Sequence, residues 1–140
     1  MTAFELDARL AQDTHLLADG PSCLLLMMND CRYPWLILVP KRPDVREWHD
    51  LDSTEQQTLH RLSIRIGQAL QRRFTVDKIN TATLGNVVNQ FHIHIVGRRV
   101  GDPAWPGPVW GHSQAVPYSP AELQQTLSTL RAESIPDWIT

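Results

Sequence analysis

The chain predicts an α+β fold: an antiparallel sheet of about five strands, one long helix and a C-terminal helix. Two observations carry this. The order of elements is segregated, with a hairpin and strands first, then a long helix, then two more strands. The segment Gln90–Val96 alternates Phe91, Ile93 and Ile95 with Gln90, His92 and His94, the period-two signature of a strand. The 140 residues amount to a single domain spanning 1–140.

Taken in order, residues 4–12 read as a short helix or turn with Asp7 a candidate cap. Thr14–Leu17 is a short strand, and Ala18-Asp19-Gly20-Pro21-Ser22 a strong turn signal. Cys23–Met28 and Trp35–Val39 are all-apolar runs, which places them at the centre of the sheet with both faces covered. Residues 41–51 form a polar connection. Ser53-Thr54-Glu55-Gln56 has the form of a capping box. Leu59, Leu62, Ile66, Ala69 and Leu70 then recur at steps of three and four, predicting a helix over about 54–73. His60, Arg61, Arg65, Arg72 and Arg73 fall largely off that stripe and read as a solvated face. Lys78–Leu84 is a fourth strand. Four prolines forbid regular structure over most of 101–118, yet Trp105 and Trp110 must be covered, by the body or by another chain. Ser119-Pro120-Ala121-Glu122 caps a last helix over 120–132, and residues 135–140 form a tail.

Composition narrows the function. A net charge of −2 gives no basic field for nucleic acid. No apolar run is long enough to span a membrane, and the N-terminus has no secretory pattern. Cys23 and Cys31 make neither a disulfide framework nor a zinc pattern, so a cytoplasmic setting is expected.

Residues two apart on a strand face the same way, so His92, His94 and the Gln90 amide share one surface. The approach, Gly85-Asn86-Val87-Val88-Asn89, is small and amide-rich, and freed backbone N–H groups there can hold an anion. Together these suggest phosphate chemistry. Alternatives are a solvated strand face or a metal site. The metal reading lacks a nearby third ligand, and Arg98 and Arg99, themselves read as a solvated strand end, would repel a cation.

Gln90-Phe91-His92-Ile93-His94-Ile95-Val96 resembles the motif of the histidine triad (HIT) hydrolases and transferases, His-φ-His-φ-His-φ-φ with φ apolar, except at its first position. Asn80 matches an upstream asparagine of that family and Gly85 a glycine five residues before the motif. The proline- and tryptophan-bearing segment resembles a bacterial branch that keeps Gln at the first position. The resemblance implies a HIT-like fold and nucleotidyl transfer to water or another acceptor, with no cofactor and no metal. It makes His92 the nucleophile, with His94 and Gln90 beside it in the catalytic group. Asn80, Gly85, Asn86 and Val87 would hold phosphate, and Asn29 or Asp30 would sit at the ribose hydroxyls. Expected partners are an AMP-like nucleotide or nucleotide conjugate and a second copy of the chain, paired through the long helix and the following strand. Gln90 cannot act as an acid, and Val87 lacks a hydroxyl found in several relatives, so a slower enzyme, or one preferring good leaving groups, is implied, with a non-catalytic nucleotide binder as the alternative.

Overall fold

A computed structural model describes residues 3–133. Five strands form one sheet: β1 (Thr14–Asp19), β2 (Cys23–Met28), β3 (Trp35–Pro40), β4 (Lys78–Ala82) and β5 (Ile93–Arg98). Their spatial order is β1-β2-β3-β5-β4, and every neighbouring pair is antiparallel. Three helices accompany it: α1 (Ala8–Asp13), α2 (Ser53–Arg73) and α3 (Pro120–Arg131). This is the α+β architecture expected. The 135–140 tail lies outside the described residues, and among those residues no helix is long and apolar enough to cross a membrane.

The central strands behave as their sequences demand. Every residue of β3, and all of β2 but Met28, is buried. Alternation sorts them into two cores. Leu25, Met27, Leu36, Leu38, Ile93 and Ile95 meet Leu59, Ile66 and Leu70 of α2 and Leu127 and Leu130 of α3. On the opposite face, Leu24, Leu26, Trp35, Ile37, Val39 and Val96 meet Leu10, Ala104, Val109 and Trp110, with Phe4 and Leu6 packed against them. The second face is therefore roofed by the N-terminal segment with the short α1 and by the irregular 101–112 stretch rather than by the long helices.

Four expectations are corrected. β1 runs on to Asp19, through part of the turn expected at 18–22, and a bulge between Leu16 and Ala18 absorbs the change of register. The cap of α2 is Asp52 rather than Ser53: its carboxylate accepts from the Glu55 N–H, and Glu55 reaches back to the Asp52 N–H. Both boxes fit the spacing, and the carboxylate is favoured by the positive end of the helix dipole. The motif strand begins at Ile93, three residues late, and runs to Arg98. Its partners end there: Leu38 is the last β3 residue paired with it, and β4 stops at Ala82. Phe91 instead donates its N–H to the Val45 carbonyl, 3.0 Å. Finally, Arg98 is not a solvated strand end. It is 1% exposed and forms a bidentate pair with Asp102, both contacts 2.8 Å, while Arg99 is exposed.

The 113–118 stretch is fastened to the β2–β3 turn. Asp30 takes Arg32 in a two-oxygen pair, and Arg32 reaches on to Ser113 Oγ and the Gln114 carbonyl. The Asn29 side chain accepts from the Tyr118 N–H, 3.1 Å, and Cys31 donates to the Val116 carbonyl. At the other end of the segment, Arg72 and Arg73 of α2 both pair with Glu133 just beyond α3.

Candidate active site

His92 precedes β5 and His94 is its second residue, so both face the roofed side of the sheet, with ring centroids 4.9 Å apart. Burial is nearly complete, at 6% and 5% exposed. Each ring is fixed through Nδ1, in opposite senses. The Gln90 carbonyl lies 2.7 Å from His92 Nδ1. A carbonyl only accepts, so that nitrogen carries the hydrogen and Nε2 is the free one. For His94, the Trp35 indole N–H lies 3.0 Å from Nδ1. An indole only donates, so here Nδ1 offers the lone pair and the neutral ring carries its hydrogen on Nε2. One face thus presents a lone-pair nitrogen from His92 and an N–H from His94.

His94 is held neutral. Burial, reinforced by the neighbouring His92, pushes its pKa down to about 3. Its surroundings are aromatic: Trp35 at 5.7 Å and Trp110 at 5.5 Å between ring centroids, with Tyr33 edge-on to Trp35. The tryptophan expected to be covered, Trp110, is therefore part of the wall behind His94.

Beside His92 a narrow cleft opens, lined by Arg46, Glu47, Thr83, Leu84 and Gly85. Gly85 has φ +80°, the left-handed conformation that glycine adopts freely, and the chain turns there toward His92. Asn86 and Val87 follow at the surface, Val87 74% exposed. The cleft has a volume of only about 10 Å³, far below the roughly 300–1,000 Å³ of ordinary ligand pockets. A nucleotide does not fit that cleft as it stands.

The remaining sequence-predicted residues are placed as follows. Asn80 lies on β4 opposite Val96, on the histidine side of the sheet, and its Oδ1 accepts from Arg98 Nη1, 3.0 Å. The Gln90 side chain reaches the N-terminal segment: Oε1 accepts from the Asp7 N–H and Nε2 donates to the Glu5 carbonyl, both 2.9 Å. Asn29 and Asp30 sit at the end of β2 and hold the 113–118 stretch. Among the described residues no three of His, Cys, Asp and Glu gather in a metal-holding arrangement, and the Nδ1 atoms of both motif histidines are already engaged.

Sequence reasoning missed Trp35, because nothing in the chain announces which β3 residue lies beside His94. It also missed the Arg98–Asp102–Asn80 network, whose only sequence trace is an opposite-charge pair four apart.

Comparison with known proteins agrees with this geometry. The HIT domain family model matches residues 9–101. The chain belongs to the HIT family. A histidine triad protein from Bradyrhizobium japonicum is 44% identical, covers 94% of this chain and 98% of its own, and superposes with a TM-score of 0.90. One from Marinobacter aquaeolei is 40% identical, over 99% and 100% of the two chains, TM-score 0.93. A third, from Sinorhizobium meliloti, is 38% identical over 93% and 96%, TM-score 0.89. No curated protein matches the chain significantly.

Proposed function

We propose that the protein hydrolyses or transfers the nucleotidyl group of nucleotide conjugates, phosphoramidates or dinucleotides, through a covalent nucleotidyl-histidine. The observation that supports it most is the complementary tautomer pair at His92 and His94. His92 Nε2 attacks the α-phosphorus; a phosphorus–nitrogen bond forms, the bond to the leaving group breaks, and the departing amine or phosphate takes its proton from water. Water then attacks the phosphoramidate, releasing the nucleotide and restoring His92. The His94 Nε2–H donates to an α-phosphate oxygen, and because the ring stays neutral it does so without surrendering its proton. Donors poised where charge develops are worth roughly 3–4 kcal/mol each in comparable sites.

The Gly85 bend with the Asn86 and Val87 N–H groups forms the anion cradle in this reading. Arg98 takes the Asn80 oxygen, which leaves the amide nitrogen of Asn80 as a donor. Of the two ribose candidates, Asn29 keeps its amide nitrogen uncommitted, whereas both Asp30 oxygens are occupied by Arg32. Asn29 is therefore the one proposed for the ribose hydroxyls. No metal or cofactor enters the scheme.

The test is incubation with adenosine phosphoramidate in the presence of chelator. Wild type is expected to release AMP and, after rapid denaturation at alkaline pH, to carry labelled AMP on His92. His92→Ala is expected to lose both, by 10³-fold or more in rate. Equal turnover in His92→Ala sinks the assignment. A second reading, binding without turnover, is favoured by Gln90 and Val87, which supply neither an acid nor a hydroxyl. AMP binding in calorimetry with no trapped adduct would select it.

A homodimer belongs to the same proposal. β4 is a sheet edge, and Ile64 on α2 is 50% exposed beside a groove that Ile79 and Thr81 of β4 also line.

A further inference from the structure

Gln90 occupies the first position of the motif, and its side chain is turned away from proton transfer. A primary amide carries one acceptor and one donor side by side, as a peptide unit does. Here the acceptor takes the Asp7 N–H and the donor takes the Glu5 carbonyl. These groups lie two residues apart on a segment without regular structure, so one side chain fastens its backbone at two points. A neutral imidazole has its donor and acceptor on separate ring nitrogens and does not bracket both groups. The fastened segment carries Phe4 and Leu6, which pack against the Trp35, Ile37 and Val96 face, and it leads directly into buried Leu10. It lies over the same face of the sheet as His92 and His94, both of them almost wholly buried.

We infer that Gln90 is a positioning residue. Through its amide it holds residues 5–7, on the histidine-bearing face of the sheet, as one wall of the nucleotide site. The first motif position then serves pocket assembly rather than acid catalysis. The inference rests on the nucleotide reading for the identity of the ligand; the clamp itself does not.

The test compares wild type with Gln90→Leu, Leu6→Ala, the double variant and Gln90→Glu, all in the full chain. Gln90→Leu is expected to raise KM for adenosine phosphoramidate about tenfold, the loss of two hydrogen bonds, with kcat within twofold. Leu6→Ala raises KM as well. The double variant is no worse than the poorer single, because both loosen the same wall.

Gln90→Glu gives the sharpest signature. Protonated, its carboxyl offers the same donor and acceptor as the amide; ionised, it cannot donate to Glu5. The charged and titratable groups nearby are Glu5 and Asp7 on the segment, Arg46 and Glu47 across the cleft, and His92 itself. Expressed relative to wild type at each pH, KM of Gln90→Glu is expected near wild type at pH 4.5 and about tenfold higher at pH 7.5. Hydrogen exchange at the Asp7 amide accelerates in Gln90→Leu, with β3 amides unchanged.

A fall in kcat at constant KM, a KM ratio for Gln90→Glu that does not move with pH, or unchanged exchange at Asp7 overturns the inference. If wild type shows no turnover, the hydrolase reading falls alone. AMP affinity then replaces KM, with the same tenfold change expected, and an unchanged affinity in Gln90→Leu overturns the clamp.

Discussion

His94 is a histidine whose charge the fold does not tolerate. Burial and the neighbouring His92 bring its pKa down to about 3, against 6.5 for the free side chain. The consequence for stability has a definite sign. Below pH 6.5 the unfolded chain binds a proton at His94 that the folded chain refuses, so stability falls as pH drops from about 6.5 toward 3. At pH 4.5 the loss from this one group is on the order of 2–3 kcal/mol. Urea unfolding of wild type and His94→Phe at pH 7 and pH 4.5 measures it, because carboxylates titrate in both proteins and cancel. The variant is expected to lose less stability on acidification by about that amount; equal losses would mean that His94 charges in the folded state. The pattern of alternation was enough to set His92 and His94 on one face. It could not show that Trp35 stands behind His94, because the register of β3 against β5 is a property of the assembled sheet.

At the scale of elements, legibility followed how local the forces are. Cys23–Met28 is legible with its true bounds because a run of six apolar residues between turn signals fits a strand buried on both faces. The Ser119 box before α3 is legible too, since Pro120 favours the first helical position and so marks the start. The Asp52 and Ser53 caps differ by one residue and both satisfy the local rule. The start of β5 depends on where β3 and β4 stop offering partners, which no single segment encodes. Arg98 is the clearest case of tertiary control. Its guanidinium lies between the Tyr33 and Trp105 rings, at 5.8 and 5.7 Å, and is closed off by Asp102 and Asn80. The pair ties the end of β5 to the start of the irregular roof. Asp102→Asn leaves a buried arginine without its counter-charge, and removing one partner of such a pair typically costs about 3–5 kcal/mol. Chemical denaturation checks this. A loss below about 1 kcal/mol would show that water reaches Arg98 and that the pair does not anchor the roof.

At the scale of the whole molecule, the sheet is covered unequally. The helices α2 and α3 pack one face, while the other, which carries the histidines, is covered by Leu10 of the short α1, the preceding segment and the irregular 101–112 stretch. The two edge strands, β1 and β4, each leave one side of the ladder unpaired, and β4 does so next to the half-exposed Ile64 of α2. Open strand edges flanked by apolar surface are places where chains associate, and a second copy satisfies such an edge with two-fold symmetry, because the same patch serves on both sides. Sedimentation equilibrium is therefore expected to give twice the 15.9 kDa chain mass. Ile64→Lys puts a charge at the centre of that patch. It is expected to shift the protein to single-chain mass with an unchanged far-ultraviolet circular dichroism spectrum, since the side chain faces outward from α2. Wild type sedimenting as one chain across the micromolar range would remove the dimer. It would leave the β4 edge to be protected by Lys78 and the short length of the strand, and the histidine site would then have to be complete within one chain.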